Sequence, residues 1–167
     1  IAFASHIINP IGVKLGENIN IEDIESLLNV LNPYNLAGRM CFITRIGVDK
    51  IKKVLPPIIK KLKNKPILWI CDPMHGNTKK LKNGKKTRYF NDVYKEVEYF
   101  FDILQAQDVN PKGVHLEATG YKNITECVDY TKNIYENNLI NYTTACDPRL
   151  NYDQSQEIID LCTAKLK

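Results

Sequence analysis

The sequence predicts an α/β fold with a parallel sheet, amounting to half of an eight-unit (β/α)8 barrel. Three observations carry this. Strand-like and helix-like segments alternate along the chain, and four such units are half of an eight-unit barrel. The run Pro66–Asp72 is apolar almost throughout, the pattern of a parallel strand covered on both faces. His75 and Glu117 fall at strand ends and Asp147 in a loop before a helix. An α/β barrel places its chemistry at such positions.

Ile11–Leu15 is a short apolar run interrupted by Lys14 and reads as the first strand. Ile21, Ile24, Leu27, Leu28 and Leu31 then recur at helical spacing, with Asn20 placed to cap the first turn. Asn32-Pro33-Tyr34-Asn35 signals a turn. Met40–Arg45 is the second strand. The next helix carries Val48, Ile51, Val54, Leu55, Ile58, Ile59 and Leu62. Pro56-Pro57 predicts a break or kink there, because each proline removes an amide donor and crowds the preceding turn. After the third strand, Pro66–Asp72, a polar loop runs from Gly76 to Arg88. Val93, Val97, Phe100, Phe101 and Leu104 mark an amphipathic helix, and Gly113–Glu117 the fourth strand. Tyr121–Asn141 reads as irregular, with a short helix around Thr125–Tyr130. A final helix spans Tyr152–Leu166, with Asn151 as N-cap.

The chain has 167 residues, enough for one domain with a real core. Residues 1–167 are expected to form a single partial barrel domain whose N-terminal half is missing, since the chain opens at Ile1 inside a structural element. With 44% hydrophobic and 25% charged residues it is of ordinary soluble composition, and no apolar run is long enough to span a membrane. The net charge of +4 suits anionic substrates as well as nucleic acid and decides between neither. The five cysteines form no C-x-x-C pair and are odd in number, which argues against a disulfide framework and for a reducing, cytoplasmic setting.

Taken singly, a histidine after a strand is most often a surface residue, and a glutamate there is most often solvated. Joint placement is what matters. The spacings between His75, Glu117 and Asp147 each suit one βα unit, so the three can converge if their strands are neighbours in a curved sheet. One imidazole and two carboxylates suit a divalent metal of intermediate hardness. Lys14 and Arg45 place cations at the same end of the sheet, as a fork for phosphate or carboxylate or as partners of a buried carboxylate. The basic run Lys79–Arg88 is a weak nucleic-acid footprint, without interleaved aromatics at its centre. No nucleic-acid partner is expected, although Lys86 and Arg88 add positive potential near the site. His115, two positions before Glu117, reads either as a support for the metal site or as a packed histidine.

These motifs resemble the C-terminal half of class II 3-deoxy-D-arabino-heptulosonate 7-phosphate (DAHP) synthases. The matching stretches are Asn9–Lys14, Leu31-Asn32-Pro33, Ile43–Gly47, Leu55-Pro56-Pro57, Asp72–Thr78, Lys86-Thr87-Arg88, Gly113–Gly120, Asn123–Cys127 and Thr144–Asn151, nearly the whole chain. The resemblance implies strands five to eight of a (β/α)8 barrel. It implies the first step of the shikimate pathway, condensation of phosphoenolpyruvate with erythrose 4-phosphate with release of phosphate. It makes His75, Glu117 and Asp147 ligands of a divalent metal, Mn²⁺ foremost and Co²⁺ as an alternative. Lys14 and Arg45 become catalytic residues that bind phosphoenolpyruvate, with His75 beside them. It further implies a homo-oligomer in the full-length enzyme, cytoplasmic or, in a plant-like source, plastidic. The family's remaining metal ligand, a cysteine of the first strand, has no counterpart here, nor have its Lys-Pro-Arg and Glu-Arg stretches. The isolated chain is therefore expected to be inactive. A competing reading is a non-catalytic half-barrel acting as an interaction or regulatory partner, and a third is another metal-dependent aldolase-type barrel.

Overall fold

The computed structural model describes residues 1–166. A four-residue helix, α1 (Ala2–Ser5), precedes the strand β1 (Ile11–Gly16), the helix α2 (Ile21–Leu31), β2 (Met40–Arg45), α3 (Ile51–Leu62) and β3 (Ile67–Cys71). A hairpin of two short strands follows, β4 (Lys79–Lys80) and β5 (Lys86–Thr87). Then come α4 (Phe90–Gln105), β6 (Pro111–Val114), a 3-10 turn at Tyr130–Lys132 and α5 (Tyr152–Lys165). The main sheet has the order β1-β2-β3-β6 and is parallel throughout. The expected α/β alternation is thus present. Among the described residues no helix is long and apolar enough to cross a membrane.

Local chemistry accounts for most boundaries. The Asn20 side chain accepts the Asp23 N–H at 2.7 Å and starts α2, whose first turn carries Glu22 and Asp23 against the helix dipole. Asn151 and Gln154 form a reciprocal capping box at the start of α5. The proline pair does not break α3. The carbonyls that lose an amide donor to the prolines are those of Lys52 and Lys53, two exposed residues. Five buried side chains (Ile51, Leu55, Ile58, Ile59 and Leu62) hold the helix to the core. Val48 precedes this helix, in a turn where its N–H donates to Asn77 Oδ1 at 3.0 Å.

Two further expectations need correction. The fourth strand is Pro111–Val114, so Glu117 lies three residues past its end. His115 N–H still donates to the Cys71 carbonyl at 2.7 Å, but from there the chain leaves β3 and pairs with Leu150 instead. Leu150 N–H donates to the Glu117 carbonyl, and Thr119 N–H to the Leu150 carbonyl, both at 2.9 Å. This isolated parallel bridge, Ala118 to Leu150, adds a fifth position to the parallel array. The short helix expected around Thr125–Tyr130 is instead a 3-10 turn that begins only at Tyr130. Val128 is held in a parallel bridge to Tyr89, giving its N–H to the Arg88 carbonyl and accepting from Phe90, which leaves that backbone nothing for a helical turn.

Burial alternates along the strands with the period of two that a pleat imposes. Leu15, Met40, Phe42, Thr44, Trp69 and Cys71 are buried on one face, in a single core with Ile24 and Leu28 of α2, Leu55 and Ile59 of α3 and Val97 and Phe101 of α4. On the other face Cys41, Ile43, Leu68 and Ile70 are only half-covered, and Lys14 and Arg45 are exposed. Only one face of the sheet is therefore fully covered, not both. The half-covered face carries the residues with chemistry.

Candidate metal centre

Asp72 follows β3 directly and is fully buried. Its Oδ1 accepts the N–H groups of Met74 and His75 at 3.1 and 3.2 Å, which turns the chain back on itself. The same carboxylate sits 2.7 Å from His75 Nδ1 and accepts from Lys14 Nζ at 2.8 Å. Burial pushes the Asp72 pKa up, but the hydrogen bonds from Lys14 and His75 outweigh it and hold the group below the ordinary carboxylate value. An ionised Asp72 can only accept. That assigns the imidazole proton to Nδ1 and leaves a lone pair on Nε2.

His75 Nε2 faces Glu117 Oε1 at 3.3 Å. Asp147 arrives from the loop before α5. One ligand atom each from His75, Glu117 and Asp147 lies within 4.8 Å of the others. The structure thus brings together the three side chains that the sequence singles out, although they come from three separate loops. Both carboxylates have cationic neighbours. Lys86 Nζ is 2.7 Å from Asp147 Oδ1, and Arg88 Nη1 is 2.6 Å from Glu117 Oε2. The Lys86 contact lowers the Asp147 pKa. The Arg88 contact is an ion pair without hydrogen-bond alignment, so Glu117 Oε2 is a buried oxygen with no hydrogen-bond partner among the described residues. The basic run Lys79–Arg88 is a hairpin, two of whose cations serve these carboxylates.

Lys14 and Arg45 take different positions. Lys14 Nζ pairs with Asp72 at 2.8 Å while its side chain stays 38% exposed at the same rim. Arg45 is exposed and lines a cleft of about 540 Å³ together with Gly16, Asn18, His75 and Gly76. A larger cavity of about 790 Å³, beside Tyr89, Tyr94 and Asp129, contains none of these residues. His115 contributes its backbone to the β3 edge and stands outside the three-residue cluster. No cysteine of the described residues joins that cluster.

Two buried carboxylates fix the loops, and residue-by-residue reading of the sequence missed both. Glu96 of α4 accepts from Ile46 N and Gly47 N at 3.1 and 2.9 Å and from Asn77 Nδ2 at 2.6 Å. It ties the loop after Arg45 to the loop that carries His75. Burial pushes its pKa up to about 7 against these hydrogen bonds. A signal existed, since Glu96 interrupts the apolar stripe of Val93, Val97 and Phe100. Glu126 accepts from Thr143 N, Thr144 N and Arg149 N at 2.8–3.0 Å and from the Arg149 guanidinium at 2.6 Å. It holds the loop that presents Asp147. Burial works against ionisation there too, but the bonds from Arg149 and the backbone keep the Glu126 pKa lowered. Nothing in local patterning marks Glu126, because its partners lie 17 to 23 residues away.

Comparison with known proteins places this geometry in context. A model of the class-II DAHP synthetase family matches residues 1–163. Phospho-2-dehydro-3-deoxyheptonate aldolase AroG of Mycolicibacterium smegmatis is 43% identical over 170 residues, covering 100% of this chain and 36% of the relative. Phospho-2-dehydro-3-deoxyheptonate aldolase of Streptomyces coelicolor is 44% identical over 161 residues, covering 95% of this chain and again 36% of the relative. The chain spans little more than a third of the length of these curated relatives.

Proposed function

This chain belongs to the class-II DAHP synthetase family, and on that premise we propose that it forms the C-terminal part of the (β/α)8 barrel of a DAHP synthase. In the full protein it would contribute to joining phosphoenolpyruvate to erythrose 4-phosphate. The observation that carries the reading is the convergence of His75, Glu117 and Asp147 on one point. The donor set suits Mn²⁺ or Co²⁺: one imidazole nitrogen and two carboxylates, with His75 Nε2 facing Glu117 Oε1 at 3.3 Å and Asp147 within reach of both, form a polar site that a cation would complete. When bound, such an ion supplies Lewis-acid polarisation of the aldehyde oxygen.

The chain's own residues do the rest. Asp72 orients His75 and sets its tautomer. Lys14 keeps Asp72 ionised and adds positive charge at the same rim. Arg45, free in the cleft beside His75, offers a bidentate fork for the phosphate or carboxylate of phosphoenolpyruvate. Fixed cations of this kind align the enol carbon with its electrophile and stabilise charge as the bond forms. The half-covered sheet face supports the barrel, since it is the face that closure would enclose. Numbered with the Leu150 bridge as the eighth position, β6, β3, β2 and β1 fall at the seventh to the fourth, one position more than the strands five to eight that the resemblance implies.

The test uses the full-length protein. Phosphoenolpyruvate consumption with erythrose 4-phosphate should require Mn²⁺ or Co²⁺ and fall at least 100-fold, to order of magnitude, in His75→Ala and Glu117→Ala. Full activity in both variants would overturn the assignment.

A further inference from the structure

One side chain touches all three loops of the cluster. Arg88 is fully buried, among the largest such residues in the chain. Its Nε donates to the Met74 carbonyl at 2.8 Å, one residue before His75, and to Thr78 Oγ1 at 3.0 Å. Its Nη1 donates to the Pro148 carbonyl, one residue after Asp147, and lies 2.6 Å from Glu117 Oε2. Its Nη2 has no hydrogen-bond partner among the described residues. A buried guanidinium costs heavily in desolvation unless a charge compensates it. Glu117 is the carboxylate within ion-pair distance.

We propose that Arg88 is the positioning residue of the metal centre: it gathers the three ligand loops and occupies Glu117 Oε2, so that Glu117 coordinates through Oε1 alone. The inference rests on the metal reading above and adds to it a coordination mode and an organiser. The geometry is specific to arginine. The two edges of one rigid fork reach two backbone carbonyls and a carboxylate in fixed directions, and a lysine ammonium cannot span them. Oε1 is left facing His75 Nε2 at 3.3 Å. The anchoring of Arg88 is itself built in. Its carbonyl accepts from Val128 N at 2.8 Å, and the adjacent Thr87 hydroxyl donates to the Glu126 carbonyl at 2.8 Å.

The experiment titrates the metal-free full-length protein with Mn²⁺, following free Mn²⁺ by electron paramagnetic resonance, for the unmutated protein, Arg88→Lys, Arg88→Met and His75→Ala. Arg88→Lys should bind Mn²⁺ about 10- to 100-fold more weakly, the range for groups that orient metal ligands, with an altered spectrum of the bound ion and a retained circular dichroism spectrum. Binding by either folded Arg88 variant within twofold of the unmutated protein would overturn the proposal. Equal uptake by His75→Ala and the unmutated protein would instead overturn the metal reading itself. A crystal structure of the unmutated protein with Mn²⁺ decides independently of folding in the variants. Monodentate Glu117 with Arg88 on Oε2 supports the proposal, and bidentate Glu117 with Arg88 displaced overturns it.

Discussion

Gly76 and Gly47 touch backbone to backbone: a β-carbon on Gly76 would stand 2.4 Å from Gly47 N. Gly47 has φ +94, a conformation that L side chains rarely adopt. The two glycines bring the loop after Arg45 against the loop that carries His75, and Glu96 with Asn77 locks them there. The cleft that Arg45 lines and the cluster of His75, Glu117 and Asp147 therefore share one wall.

Gly76→Ala has no flexible side chain to push aside, because the atoms it meets are backbone. It should cost about 2 kcal/mol or more and separate Arg45 from His75. Gly120→Ala, with nothing within 4 Å of the new carbon, should stay within roughly 0.5 kcal/mol of the unmutated protein. Urea unfolding midpoints of the two variants make the comparison.

Asp72→Ala removes the acceptor that holds His75 Nδ1 and the partner of Lys14. Mn²⁺ affinity should fall about 10- to 100-fold, with a lower melting temperature as well. Isothermal titration with Mn²⁺ checks the first effect, and unchanged affinity would show that the imidazole needs no orienting carboxylate.

Glu96 makes stability depend on pH in an unusual direction. Its pKa rises from the ordinary 4.5 to about 7 on folding, so between those values the folded state holds a proton that the unfolded state has released. Stability falls as pH rises through this window, by about 3 kcal/mol at roughly 1.4 kcal/mol per pKa unit. The carboxyls of Asp72, Glu126 and Asp147 act oppositely, since their lowered pKa values contribute stability that is lost as pH falls below the ordinary carboxylate range. Denaturant melts should show a maximum near pH 5, roughly. Glu96→Gln should flatten the slope above it, and an unchanged slope would assign it to another group.

Glu126→Ala strands three backbone amides and the Arg149 guanidinium. The expected loss is about 2–3 kcal/mol, below the figure for a fully buried pair because Arg149 can reach water. Hydrogen exchange should accelerate first at Thr143, Thr144 and Arg149. Uniform acceleration across the chain would mean that Glu126 supports the whole fold and not this loop.

Much of this was legible in local order. The strands at Ile11, Met40 and Ile67 and the helices α2, α4 and α5 follow from periodicity and capping residues, because these depend on neighbours within a few positions. α3 was legible in its apolar stripe but not in its continuity, since whether Pro56 and Pro57 break a helix depends on what holds its buried side. The end of the fourth strand was not legible, because it is set where the chain exchanges Cys71 for Leu150 as partner.

By itself the sequence determined the alternation of elements, the choice of His75, Glu117 and Asp147 as ligand candidates and the family they resemble, since residue identity and spacing are local properties. Tertiary structure alone decided that Lys14 serves Asp72 while Arg45 stays in the cleft, that Glu96 and Glu126 hold the loops, and that Arg88 joins all three. Those roles arise between residues far apart in the chain. They exist only once packing has removed water from around buried charges and left each of them to find its partner across the fold.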